Sequence, residues 1–334
     1  MNVQFADRMG NLHASAIREI LKFTQDPTVI SFAAGNPAPE AFPTKEIARI
    51  SNEILTKNPI AALQYSISEG YTPFRNALKK EYKERNHYHD RDELIIVSGA
   101  QQGMELACKV LCNPGDTVIC EKPSFVGSLN AFKSFEVNLV GVDMEDDGIS
   151  IEGLEKALKE NKNTKFIYLI PNFQNPSGIT MSFEKRKAVY LLAVKYDVLI
   201  VEDNPYGELR FAGTDVPNIK TIDTEDIVIY CGSFSKIMSP GMRVGFVIAK
   251  NEIIQKIVVV KQTSDVHTNI WSQMICEQFM RECDMKKHIA GLKKIYQHKA
   301  QLMLDGIKQH FSPAVKYTVP AGGLFIWCTL PEGV

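Results

Sequence analysis

No stretch of the chain approaches the roughly 20 consecutive apolar residues that cross a bilayer. The opening residues, MNVQFADRMGNLHASAIREI, lack the apolar core of a secretory signal. A surplus of positive charge is also missing. The chain has 38 Lys and Arg against 39 Asp and Glu, a formal net charge of -1, which argues against nucleic acid as the main ligand because binding a phosphate backbone draws on a cationic face. There is no Cys-x-x-Cys pair, no Gly-x-Gly-x-x-Gly and no Walker loop, so paired-thiol, dinucleotide and nucleoside triphosphate sites lose their signatures. The 7 cysteines fall mostly in apolar runs and read as reduced core thiols. His87-Tyr88-His89 has no third ligand at metal spacing, so no metal site is expected. These absences lead to the expectation of a cytoplasmic chain with neither membrane nor nucleic acid as partner.

What is present is the composition of a globular protein: 334 residues, 45% hydrophobic and 23% charged. That is about two average domains, with a core large enough to need no disulfide or metal. Short β-branched runs at 94–97, 117–120, 166–170, 198–201, 227–230 and 244–248 alternate with helical-period segments near 101–112, 150–160 and 183–196. Strands so continuously apolar suit a mainly parallel sheet covered on both faces, which predicts the α/β class. Beyond residue 250 come long helical segments at 251–264, 269–282 and 286–311, then strand candidates near 315–319 and 323–329. The resulting division is an N-terminal arm and helix (1–30), a large domain (31–285) and a smaller α/β domain (286–334). The last is thin for an independent unit and is expected to be incomplete, because the chain stops directly after a strand.

Sheets of this kind bind ligands beyond the carboxyl ends of their strands, which directs attention to four loops. Ser98-Gly99-Ala100-Gln101-Gln102-Gly103 opens a helix, and its N–H groups suit a phosphate, or the glycines serve the turn alone. Asn175, in Pro171-Asn172-Phe173-Gln174-Asn175-Pro176-Ser177-Gly178, is either a turn cap or a ligand contact. Glu202 and Asp203 close a buried strand, and alternation sends them to opposite faces, so at most one enters a given site. Gly232-Ser233-Phe234-Ser235-Lys236 follows another buried strand, with Arg243 seven residues on. Two cations, two hydroxyls and a helix start there can converge on one phosphate dianion.

An amine able to form an imine, an acid, an amide, a phenol and a phosphate cradle together suit pyridoxal 5′-phosphate. With IREILKF, ISFAAGNPAPEAFP, ALQYSISEGYTPFR, SGAQQGM, PNFQNPSG, VEDNPYGEL, GSFSKIMSPGMRVG and GGLFIW in order along the chain, the sequence resembles a class I/II, fold type I aminotransferase. The likeness is greatest to the 2-aminoadipate and kynurenine aminotransferase branch. It implies that Lys236 forms the imine with the cofactor and shuttles the substrate Cα proton, and that Asp203 pairs with the ring nitrogen. It further implies that Asn175 and Tyr206 donate to the ring's phenolate oxygen, and that Ala100 and Gln101 N–H, Ser233, Ser235 and Arg243 hold the phosphate. Tyr65 matches a residue that reaches the phosphate of the other subunit, which implies a homodimer.

The sequence departs from the family pattern at three places. Phe125 stands where a tyrosine usually stacks on the ring, and Ala100 stands for the commoner Ser or Thr. The chain ends at Val334, whereas the resemblance implies a continuation carrying the arginine that clamps the substrate α-carboxylate. Gly35 and Asn175 are the remaining family-matched contacts for that carboxylate. Arg18 either meets a substrate's distal carboxylate or is an exposed helix arginine. The expected function is transfer of an amino group between an L-amino acid and a 2-oxoacid, 2-oxoglutarate foremost. The alternatives are a carbon–sulfur lyase using the same cofactor, and a fragment that binds the cofactor but is catalytically incomplete. A ligand-sensing regulator is disfavoured, since about 30 residues before the core are too few for a winged helix.

Overall fold

The computed structural model describes residues 3–11, 23, 26, 28–32 and 34–333. Arg18 and most of the expected first helix lie outside these residues. Eight strands form the central sheet: β1 (Asp92–Val97), β2 (Thr117–Lys122), β3 (Asn138–Glu145), β4 (Gly148–Ile149), β5 (Thr164–Leu169), β6 (Leu199–Asn204), β7 (Val228–Ser233) and β8 (Gly245–Lys250). Their spatial order is β1-β8-β7-β6-β5-β2-β3-β4. The run from β7 through β6, β5 and β2 to β3 is parallel. Strand β8 is antiparallel to both β7 and β1.

Period-two alternation divides each buried strand between two hydrophobic clusters. Leu94 and Ile96 of β1 pack with Ile50, Ile54, Phe74, Leu78, Met274 and Phe279 from the helices Thr44–Lys57, Thr72–Glu84 and Ile270–Glu282. Ile95 and Val97 pack on the opposite side with Met104, Ala107, Ile254 and Ile257 from the helices Ala100–Leu111 and Asn251–Gln262. Ile167 and Leu169 of β5 meet Leu154, Val189 and Ala193 from the helices Ile151–Glu160 and Phe183–Tyr196. The apolar runs therefore predict the sheet correctly. Strand β3 was not expected, because it is only partly buried and carries Asn138, Gly141 and Asp143 instead of an apolar run.

Capping sets where several helices start. Ser150, Ser182, Asn269 and Asp284 each accept a backbone N–H from the residue three further on, the bond that satisfies an orphan donor of the first turn. The helix Met285–His310 leads to β9 (Lys316–Tyr317), which pairs antiparallel with β10 (Cys328–Thr329). The strands expected at 315–319 and 323–329 are therefore much shorter than their apolar content suggests. Close packing of the intervening chain is the reason: a Cβ on Gly322 would lie 2.4 Å from the Phe173 ring, and Gly323 has φ +72. Residues 321–323 instead bond with the segment 209–212, through Phe211 N–H to Ala321 O at 3.0 Å and Gly323 N–H to Leu209 O at 3.2 Å.

One buried charge cluster fastens the sheet to its surroundings. Lys220 Nζ lies 2.9 Å from both Asp92 Oδ1 and Asp223 Oδ2, and all three side chains are fully buried. Glu202, on the face of β6 away from Asp203, accepts the Ile219 and Lys220 backbone N–H groups at 2.9 and 2.8 Å. Removing the cation alone strands two buried carboxylates, so Lys220→Met is expected to lose about 3–5 kcal/mol of unfolding free energy. Urea denaturation measures it, and a loss below about 1 kcal/mol would show that the triad is not stabilising.

Candidate functional site

The loops after β1, β5, β6 and β7 meet at the carboxyl end of the parallel strands. Lys236 lies in the turn after β7, its Nζ donating to Gly35 O at 2.9 Å and standing 6.0 Å from the centre of the Tyr206 ring. Burial, with a smaller push from the Arg243 charge, lowers its amine from the ordinary 10.5 to about 8. It gives up its proton more readily than an ordinary lysine amine.

Asp203, in β6, is 2% exposed. The Tyr168 hydroxyl donates to its Oδ2 at 2.8 Å, while Oδ1 is buried without a hydrogen-bond partner. Burial raises its carboxyl from the ordinary 3.8 to about 7, against the lowering effect of Tyr168. A buried carboxylate oxygen left bare is costly. This one is complementary to a cationic N–H donor.

Asn175 Nδ2 donates to the Tyr206 hydroxyl at 3.4 Å, so the amide and the phenol form one polar pair. Tyr206 is buried, which pushes its phenol up, and its ring meets Phe325 edge-on with centroids 5.6 Å apart. Phe325 also covers Gly35, where a Cβ would lie 2.5 Å from the ring.

The anion cradle is built from backbone first. The helix Ala100–Leu111 begins without a side-chain cap, so its leading N–H groups, at Ala100 and Gln101, face the site with the positive end of the helix dipole. Gly99 has φ +81, and a Cβ there would lie 2.2 Å from Arg243 Nη2. Arg243 donates to Ser98 O at 3.1 Å and to Pro240 O at 3.3 Å. Across the cradle, Ser235 N–H donates to Ser233 Oγ at 3.1 Å. Phe125 precedes the helix Val126–Lys133, and its ring lies so close to Gly127 that a Cβ would approach to 2.5 Å. The Gln101 side chain donates to Gly127 O at 2.9 Å.

Tyr65 is apart from this group: it is 80% exposed, and its ring meets His267 edge-on at 5.9 Å. Several groups that shape the loops were not anticipated. Fully buried Arg186 donates to Pro171 O, Met181 O and Asn172 Oδ1 at 2.9, 3.0 and 2.8 Å, setting the start of the loop that carries Asn175. Its setting in Glu184-Lys185-Arg186-Lys187 reads as a solvated helix face. Glu121 Oε2 accepts from Ile170 N–H and Gln174 Nε2 at 3.1 and 3.2 Å, and burial raises its carboxyl to about 7.

Comparison with known proteins follows the same line. A family model described as Aminotransferase class I and II matches residues 27–333. Aromatic-amino-acid aminotransferase 1 of Thermococcus litoralis is 41% identical over 335 residues, 99% of this chain and 80% of its own length. The kynurenine aminotransferase of Pyrococcus horikoshii, solved in complex with PMP, superimposes with a TM-score of 0.95 at 39% identity over 99% of this chain and 83% of that one. The α-aminoadipate aminotransferase of Thermus thermophilus, solved with N-(5′-phosphopyridoxyl)-L-leucine, gives 0.90 at 36% identity over 98% and 82%.

The residues fit pyridoxal 5′-phosphate. The bare Asp203 Oδ1 is complementary to a protonated ring nitrogen, and the uncapped helix with Arg243 suits a phosphate dianion. The same bare oxygen makes a prediction for the cofactor-free protein. The folded-state carboxyl is raised, so the stability its neutral form contributes is present below about pH 4 and is lost as pH rises through about 7. Asp203→Asn should thus be neutral below about pH 4, increasingly stabilising up to about pH 7 and level above it. Thermal melts across pH measure the difference, and a gap independent of pH would refute the assignment. With the cofactor bound the order should reverse, because the ionised acid then has its donor.

Proposed function

This chain belongs to the class I and II aminotransferases, which are pyridoxal 5′-phosphate-dependent transaminases, and from that premise we propose that it exchanges an amino group between an L-amino acid and 2-oxoglutarate through Lys236. The observation that carries the reading is the combination, in one site, of a buried amine lowered to about 8 and a buried acid with one bare oxygen. Bound there, the cofactor supplies an aldehyde that condenses with amines and a ring that accepts the electron pair left when the substrate Cα–H bond breaks.

Lys236 Nζ is the amine that would hold the aldehyde, and as a free amine it would carry the proton away from the substrate Cα. Gly35 O accepts from it and sets its direction. Asp203, steadied by Tyr168, keeps the ring nitrogen protonated. Asn175 and Tyr206 would donate to the phenolate oxygen, and Phe125 would pack against the ring. Ala100 and Gln101 N–H, Ser233, Ser235 and Arg243 hold the phosphate. Gly35 and Asn175 receive the substrate α-carboxylate.

The names of the relatives support donors with aromatic or long dicarboxylic side chains. We read the chain as an arm (1–30), a large domain (31–285) and a small domain (286–334), the last placing Phe325 over Tyr206. Ile60, Leu63, Tyr65 and Ile67 are exposed together, an apolar strip that favours a homodimer in which Tyr65 reaches the partner's phosphate. All seven cysteines are free, which favours the cytoplasm.

Borohydride reduction in the presence of the cofactor, followed by digestion, should place the pyridoxyl label on Lys236. A label on another lysine overturns the assignment. With 2-oxoglutarate as acceptor, a panel of amino donors should return glutamate, whereas pyruvate release from cystathionine would mark a lyase instead.

A further inference from the structure

Beneath the anion cradle lies an ion pair, its cation fully buried and its carboxylate side chain 29% exposed, that none of the roles above uses. Lys261, in the helix Asn251–Gln262, has a fully buried side chain. Its Nζ lies 2.8 and 3.0 Å from Asp265 Oδ1 and Oδ2, 2.7 Å from Gln102 Oε1 and 3.0 Å from Thr268 Oγ1. Every hydrogen of the ammonium therefore has an acceptor. Asp265 Oδ2 in turn accepts from Ser98 Oγ at 2.7 Å and Gln102 Nε2 at 2.8 Å, and Gln102 Oε1 accepts Ser98 N–H at 2.7 Å.

Ser98 and Gln102 are the two ends of the turn that carries Gly99, Ala100 and Gln101. Both ends are thus pinned to one buried cation and its carboxylate. The remaining polar group of Ser98, its carbonyl, accepts Arg243 Nη2 at 3.1 Å, so the arginine of the cradle is set by the same network. The loop between the acceptors passes through Val266 at φ +63. A β-branched residue is disfavoured in that region. The contorted turn brings both the Asp265 carboxylate and the Thr268 hydroxyl onto Lys261.

We propose that Lys261 and Asp265 are positioning residues for the cofactor's phosphate: the pair, anchored by its buried cation, holds the first N–H groups of the helix and the Arg243 guanidinium in the arrangement that receives the dianion. The proposal rests on the cofactor site described above. Donors already fixed in place bind an anion without the cost of ordering them, and charge-assisted bonds hold them more firmly than neutral ones. Lys261 touches no substrate or ring atom in this scheme, so its influence should fall on the phosphate alone.

The full chain, stripped of cofactor, is titrated with pyridoxal 5′-phosphate and separately with pyridoxal, which has the same aldehyde and ring but no phosphate. Absorbance of the Lys236 linkage reports both. Lys261→Met should raise the Kd for the phosphorylated compound by about tenfold or more while leaving that for pyridoxal within about twofold. Equal weakening of both would mean a merely structural pair, and no change in either would mean no role at all; each result overturns the proposal. If Lys261→Met does not fold, Ser98→Ala carries the test, since it removes only the hydroxyl that links the cradle to Asp265. About a threefold loss confined to the phosphorylated compound is expected, and an unchanged ratio of the two constants overturns the proposal. Failure of the unsubstituted chain to bond either compound at Lys236 is a separate result, and it would overturn the site itself.

Discussion

Burying charge at the carboxyl ends of parallel strands is the constraint on which the rest of this molecule depends. The sheet is apolar on both faces, so polar groups are confined to strand ends, where each must find a partner or a use. β6 shows the two outcomes side by side. Glu202 is satisfied twice by the backbone of residues 219 and 220, and its neighbour Asp203 keeps one oxygen bare. Adjacent acids on one strand thereby become a backbone anchor and a buried acid open to a donor. The difference comes from which face the pleat gives each of them.

The loops that hold the reactive groups are fixed by a second tier of buried polar side chains. Arg186 grips the beginning of the Asn175 loop through two carbonyls and an amide oxygen. Gln174 joins the same loop to Glu121 and to Pro123 O, and its Oε1 accepts Ser177 N–H at 2.8 Å. Lys261 does the corresponding work under the helix start. A free loop would have to be ordered each time a ligand arrived, whereas these are ordered by folding.

The sequence made legible those parts governed by local rules. Continuous apolar runs marked β1, β2 and β5 to β8, because burial on both faces demands them. The amine, the acid and the glycine-bearing turn could be found by looking just past those runs. The family motifs then supplied a role for each. Strand β3 escaped because its partly exposed residues follow no strong period, and the short β9 and β10 were overestimated because contact with Phe173 overrides strand propensity there. Arg186, Lys220 and Lys261 were invisible for a different reason. A buried cation and an exposed one are spelled alike, and only the partners brought from across the fold, as Asp92 is for Lys220 and Gln102 for Lys261, tell them apart.

Gly35 joins segments that are far apart in the chain. Its carbonyl holds the reactive amine, and its missing side chain leaves room for Phe325, which in turn lies against Tyr206. The segment before the helix Thr44–Lys57, the carboxyl-terminal segment and the lysine turn therefore meet at one residue. A shift of Gly35 alone would disturb both the lysine's acceptor and the packing of Phe325 on Tyr206, so two distant segments of the chain answer to the same backbone position.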